Sequence, residues 1–210
     1  LALVLHHIAS DGWSNDILIT EIMLTYEAQV SKKPLILPAL PVQYADYALW
    51  QREHYTGQRL EESLRYWKQK LKDTSPLDLP TDYERLKNRS IKGASLYFEF
   101  SPEHSVNVKL FAKTQAVTPF MLLLSAFKVA LFRYCNQQDI CVGTAVANRG
   151  QKAIESGIGF FVNLLALRTE LAPKMTFQEL LVEVKQTVLE AFAHEAAPFE
   201  KVVDSVQTTR

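Results

Sequence analysis

Apolar and polar residues alternate along this chain in a pattern that predicts a mixed set of strands and helices. Leu1 to Leu5 is an almost unbroken apolar run, the mark of a strand covered on both faces, and it stops at His6, His7 and the turn-forming Ser10-Asp11-Gly12. A helix follows, with Ser14 as its cap and Ile17, Leu18, Ile22, Leu24 and Tyr26 at helical spacing, until Lys32, Lys33 and Pro34 end it. The stretch from Pro34 to Pro41 reads as a linker or lip. A second helix is predicted from Val42 past Tyr44, Tyr47 and Trp50, and a third from Leu60 to Leu71 through Leu64 and Trp67. From Thr74 to Lys92 prolines and charges replace any period, as in a connection between two lobes. Beyond it, Ala94 to Phe100 alternates like a strand. Ser101-Pro102 and Thr118-Pro119 are caps followed by first-turn prolines, opening helices over Glu103 to Lys113 and Pro119 to Tyr134. Strands are predicted over Ile140 to Val146 and Phe160 to Leu171. Thr176 and Glu179 have the spacing of a capping box for a helix from Phe177 to Ala193, and Pro198 opens a last short one.

Composition narrows the function classes. In 210 residues, 48% are hydrophobic, enough for a sizeable core. Lys plus Arg and Asp plus Glu are 23 each, so no positive excess is available for a nucleic-acid backbone. The apolar run from Pro119 to Phe132 contains Lys128 and is shorter than the roughly 20 residues a bilayer requires, so it is expected to be a core helix and not a membrane anchor. Cys135 and Cys141 lie among apolar residues without a second pair, which predicts buried reduced thiols and a cytoplasmic setting. The opening residues lack the features of a signal peptide, and a sequence beginning within a strand is expected to be part of a larger protein.

The chemistry concentrates at His6 and His7. Neighbouring strand residues face opposite sides, so one histidine is expected to work and the other to support. Asp11, beyond a turn, can organise the loop or orient the ring. A neutral imidazole held in one tautomer can take a proton from an amine, hydroxyl or thiol attacking a carbonyl. No Gly-x-Ser-x-Gly elbow or activated-cysteine signature is present, which favours direct transfer between two bound partners over a covalent intermediate. The spacing is not that of a zinc site, so no metal is expected. His54 and His104 read as surface residues, and His194 as a helix-end residue.

The stretch HHIASDGWS, His6 to Ser14, resembles the HHxxxDG signature of the condensation domains of non-ribosomal peptide synthetases, shared with chloramphenicol acetyltransferase-like enzymes. Further segments fall in that family's order: YADYALW from Tyr44, VGTAVANRG from Val142, IGFFVNLLALR from Ile158 and HEAAPFEKVVD from His194. The resemblance implies an α/β, chloramphenicol acetyltransferase-like two-lobed fold with both lobes incomplete. Residues 1–75 would end the amino-terminal lobe, 76–92 connect, and 93–210 make most of the carboxy-terminal lobe.

On the same resemblance, His7 is the reaction-centre histidine, and Asp11 is the buried carboxylate that holds the loop through a salt bridge to Arg149. Gly12 permits a tight turn and offers its backbone N–H to the reacting group. His6, Arg149 and Asn163 support the site, Asn163 by meeting a partner across the lobe junction or by setting strand register. Trp13, Ser14, Phe161 and Pro198 are candidates for the substrate channel, while Trp13, Tyr44, Tyr47 and Trp50 are also expected to pack helices together. The implied activity is amide formation between a carrier-bound acyl or peptidyl thioester and a carrier-bound aminoacyl group. No cofactor is expected in the domain itself: phosphopantetheine arms of upstream and downstream carrier domains would deliver both substrates, beside an adenylation domain. The alternatives are a CoA-dependent acyltransferase of the wax-ester or diacylglycerol type, which shares HHxxxDG, and a catalytically silent docking or scaffold fragment.

Overall fold

Helices start in this chain where a side chain can satisfy the free amides of a first turn. A computed structural model describes residues 2–84 and 92–206, and the remainder of the predicted connection lies outside the described residues. The elements are α1 (Gly12–Ser31), α2 (Tyr44–His54), α3 (Gly57–Lys70), α4 (Pro102–Thr114), α5 (Pro119–Cys135), β1 (Asp139–Val146), β2 (Asn163–Glu170), α6 (Phe177–Ala193) and α7 (Phe199–Val206), with 3-10 turns at His7–Ala9 and Lys152–Ile154. Ser101 and Thr118 cap α4 and α5 as expected, each with a proline in the first turn. The Thr176 amide donates to Glu179 Oε2 at 2.7 Å and the Glu179 amide to Thr176 Oγ1 at 3.2 Å, which completes the capping box before α6. The cap of α1 differs from expectation. Asp11, not Ser14, holds it, accepting the Ser14 amide, so the helix begins at Gly12.

The described residues form two compact units, one from parts of Leu1–Lys70, Gly143–Leu165 and His194–Arg210, the other from Leu71–Val142 and Ala166–Ala193. β1 pairs with β2, and each strand contributes residues to both units.

In the second unit, α5 meets α4 and α6 through Ala112, Leu122 and Leu181, flanked by Val108 and Val117. The stripe predicted for α6 is buried at Leu180, Leu181, Val184 and Val188. Lys128, the charge that interrupts α5, is 0% exposed. Its ammonium donates to the carbonyls of Ile140 at 3.2 Å and Leu167 at 2.6 Å and to Thr169 Oγ1 at 2.9 Å. Those acceptors offset the cost of removing a cation from water. Burial raises the pKa of the Cys141 thiol, against the nearby Lys128 charge. Both cysteines are free, yet half-buried where full burial was expected.

Two predicted strands are not formed. Residues 2–5 and 94–100 belong to no strand, with Val4 95% and Tyr97 90% exposed. Their apolar patterns are those of covered strands, but a strand also needs a hydrogen-bonding neighbour, and no described residue supplies one. The apolar residues of α1 fare similarly: Met23, Leu24, Tyr26 and Val30 are exposed, and only Ser14 is buried on that helix.

In the first unit, α2 brings Tyr44 and Tyr47 onto Phe161, with Ile154 beneath and Val42 and Trp50 at the margin. The expected packing of helices against one another is not what these aromatics do: Tyr44, Tyr47 and Trp50 hold α2 to Phe161 and Ile154, and Trp13 stands outside the cluster. Burial pushes the Tyr47 phenol up to about 12. Gly159 exists as glycine for a steric reason: a Cβ there would lie 2.7 Å from Cγ of the Tyr44 ring and 3.0 Å from Phe161. The packing against β2's approach therefore depends on a missing side chain.

Candidate active site

The reaction-centre loop is built from local hydrogen bonds. His6 precedes the 3-10 turn and its Nδ1 accepts the Ile8 amide at 3.1 Å, so it shapes the backbone. His7 Nδ1 lies 2.7 Å from the Ser10 carbonyl oxygen. A carbonyl can only accept, so Nδ1 carries the proton and, in the neutral ring, Nε2 keeps a lone pair. The edge of the ring meets Phe160, with centroids 5.1 Å apart at 82°. His7 is exposed and lines a cavity of about 570 Å3 together with Leu3, Gly12, Asn15 and Leu18.

Behind this loop lies a buried charge cluster. Asp11 Oδ1 accepts the Ser14 amide at 2.8 Å, and Oδ2 accepts the Phe161 amide at 3.0 Å. Arg149 Nη2 sits 3.1 Å from Oδ1 and 3.3 Å from Oδ2, and the two side chains are 2% and 1% exposed. The same nitrogen donates to Ser14 Oγ at 2.8 Å, while Nη1 donates to the carbonyls of Ile154 at 2.8 Å and Gly157 at 2.7 Å. The Ser14 hydroxyl has one proton, shared between Asp11 Oδ1 at 2.7 Å and the Gly159 carbonyl at 2.9 Å. The guanidinium also stands 4.1 Å over the Phe161 ring. Burial pushes the Asp11 carboxyl up, but the hydrogen bonds from Ser14 and Phe161 and the charge of Arg149 outweigh it, leaving the pKa below its ordinary value. Asp11 organises the loop by these bonds; the ring of His7 is oriented by Ser10.

The other site candidates divide by burial. Gly12 was expected to permit a tight turn, but its backbone is not left-handed and its surroundings are open, so neither conformation nor space calls for glycine there. Ser14 and Phe161, channel candidates from the sequence, are instead buried against Arg149, because Asp11 and the α2 aromatics claim them. Trp13 is half-exposed and its indole N–H donates to the Glu155 carbonyl at 2.9 Å. Asn163 finds its partners within one unit: Nδ2 donates to the carbonyls of Glu195 at 2.6 Å and Ala197 at 2.9 Å, and Oδ1 accepts the Phe199 amide at 3.2 Å. It thereby fixes the turn that contains Pro198. His194 does more than end a helix: it stacks on Tyr66 at 4.1 Å and its Nδ1 is 3.2 Å from Ser63 Oγ. Among the described residues there is no cluster of His, Cys, Asp and Glu able to hold a metal, and no single helix is long and apolar enough to cross a membrane.

Sequence reasoning passed over Ser10 and Asn15. Ser10 is buried, and its hydroxyl donates to Asn15 Oδ1 at 3.1 Å. With Asp11 as cap, these are the two positions that pair as a hydrophobic staple at many helix starts. Here the pair is polar, a signal readable once the cap is placed correctly.

The condensation domain family model matches residues 1–210, and the chain belongs to that family. It is 47% identical to a linear gramicidin synthase of Brevibacillus parabrevis, over 100% of this chain and 4% of that protein. It is 38% identical to phosphinothricin tripeptide synthetase PhsC of Streptomyces viridochromogenes, again over 100% of the chain and 19% of that protein. Among solved structures, SgcC5 of Streptomyces globisporus matches with a TM-score of 0.80 at 30% identity, over 96% of this chain and 45% of that one. The first condensation domain of the calcium-dependent antibiotic synthetase matches in fold with a TM-score of 0.82 at 18% identity, over 98% of this chain and 45% of that chain. The fold class is therefore the chloramphenicol acetyltransferase-like α/β class expected from HHIASDGWS. The chain spans a small part of the curated relatives and about half of these structures.

Proposed function

We propose that this chain forms the reaction-centre part of a condensation domain in a cytoplasmic peptide synthetase. It joins a carrier-bound acyl or peptidyl thioester to the amine of a carrier-bound aminoacyl group. Residues 1–75 end the amino-terminal lobe, 76–92 connect, and 93–210 make most of the carboxy-terminal lobe. The observation that carries the reading is the hydrogen bond from His7 Nδ1 to the Ser10 carbonyl, which leaves Nε2 as the basic atom of an exposed ring beside a cavity.

The amine nitrogen attacks the thioester carbonyl carbon, and the C–S bond breaks as the C–N bond forms. Nε2 of His7 accepts the amine proton, which ends on the departing thiolate. The Gly12 amide, at the open first turn of α1, is a donor for the developing oxyanion. Asp11 and Arg149 hold the loop, His6 and Asn163 support its surroundings, and Trp13 and Pro198 border the substrate path. Phosphopantetheine arms of upstream and downstream carrier domains deliver both thioesters, and an adenylation domain neighbours them. Likeness to a four-domain nonribosomal peptide synthetase, with a TM-score of 0.80 at 27% identity, supports that setting.

The test is His7→Ala and His6→Ala in a synthetase that carries this sequence, with product formation followed by mass spectrometry. His7→Ala should lower amide formation at least about a hundredfold, the scale of a positioned acid-base group. His6→Ala should mainly lower soluble yield. Loss of transfer from His6→Ala with His7→Ala still active would overturn the assignment.

A further inference from the structure

The proton on His7 Nδ1 is held by one carbonyl, that of Ser10, so whatever fixes Ser10 fixes the tautomer on which the proposed base depends. Ser10 is buried, and a buried hydroxyl needs an acceptor. Asn15 Oδ1 supplies it at 3.1 Å; the competing contact, from the same hydroxyl to the Asp11 carbonyl, is longer at 3.4 Å. Asn15 is an exposed residue of α1, and it lines the same cavity as His7 and Gly12. With its oxygen engaged by Ser10, the amide group is oriented, and its two N–H donors are left for the cavity. The His7 ring and the Asn15 amide therefore face the same space, where a substrate carbonyl beside the base would need a donor.

We propose that Asn15 is a positioning residue for His7, acting through Ser10, and that its amide donates to a carbonyl oxygen of the substrate. The inference rests on the condensation reading of the site. The two ends of one side chain then serve different kinetic constants. The oxygen keeps the Ser10 carbonyl on Nδ1 and supports kcat. The nitrogen holds the substrate and supports KM.

Asn15→Asp separates the two, because a carboxylate still accepts from the Ser10 hydroxyl but cannot donate. Asn15→Ala removes both. With donor and acceptor thioesters presented on separate carrier domains at varied concentration to a synthetase carrying this sequence, Asn15→Ala should lower kcat and raise KM, each about tenfold, the scale of one lost hydrogen bond. Asn15→Asp should restore kcat to within about threefold of the parent while KM stays about tenfold raised. The thermal midpoint should fall modestly in Asn15→Ala, which leaves the buried Ser10 hydroxyl without its nearer acceptor, and stay at the parent value in Asn15→Asp, which keeps one. Wild-type kcat and KM in Asn15→Ala would overturn the inference, as would equal loss of kcat in the two variants. His7→Ala in the same assay separates the failures. An active His7→Ala removes the condensation reading itself, whereas an inactive His7→Ala beside a wild-type Asn15→Ala removes this inference alone.

Discussion

Replacing Arg149 by methionine keeps much of the side-chain volume and removes the guanidinium. The loss includes the contacts to Asp11 at 3.1 and 3.3 Å, to Ser14 Oγ at 2.8 Å, and to the buried carbonyls of Ile154 and Gly157. Summing these at about 0.5–1.5 kcal/mol per hydrogen bond would overcount, because Asp11 keeps the Ser14 and Phe161 donors. The better scale is a buried ion pair broken by removal of one partner, about 3–5 kcal/mol. That is a large share of the roughly 5–15 kcal/mol by which a domain is stable. Urea unfolding of a complete condensation domain carrying this sequence measures it. Tryptophan fluorescence suits the purpose, since the Trp13 ring lies 5.8 Å from the guanidinium carbon and reports locally. Adding Asp11→Asn should not deepen the loss, because it removes the stranded carboxylate charge. A single Arg149→Met variant within about 1 kcal/mol of the parent would reduce the pair to the value of a surface contact, and the burial argument would fail with it.

Asp11 should also give the domain part of its acid sensitivity. Its folded pKa is depressed, so its contribution is present above the unfolded value of about 3.9 and is lost as pH falls through the folded value; acid titration of Asp11→Asn should show a flatter limb there. Gly159→Ala forces a methyl group against the Tyr44 ring and should cost about 1–3 kcal/mol, read as a lowered thermal midpoint; an unchanged midpoint would mean that α2 yields freely. For delivery, two carrier-tethered thioesters should form amide far faster than a CoA-bound donor with free amine at equal concentration, because tethering raises effective concentration. Equal rates in that comparison would move the assignment to the CoA-dependent alternative.

What the sequence disclosed depended on how local each determinant is. α6 is legible because the capping-box spacing of Thr176 and Glu179 and the stripe from Leu180 to Val188 lie within one helix. The runs at 2–5 and 94–100 are as apolar as strands, yet pairing depends on a neighbour that no local pattern specifies. The Asp11–Arg149 pair spans 138 positions, and no spacing rule reaches it; only the resemblance of HHIASDGWS and VGTAVANRG brought the two together. Ser10 and Asn15 were hidden for a smaller reason. Placing the cap at Ser14 moved the helix start past Asp11, and the polar staple vanished with it.

Lys128 bears on how the second unit reaches its final arrangement. Its ammonium is satisfied by the carbonyl of Ile140 on β1 and by the carbonyl of Leu167 and hydroxyl of Thr169 on β2. A slip of one residue on β2 would turn Arg168 and Glu170 toward the face that Leu165, Leu167 and Thr169 bury, so the alternation of the strand already opposes it. The same slip would turn at least one oxygen away from the cation and leave a charge unsolvated in the interior. A buried lysine thus acts as an error check on strand alignment: α5 settles fully only over the pairing that presents these oxygens together.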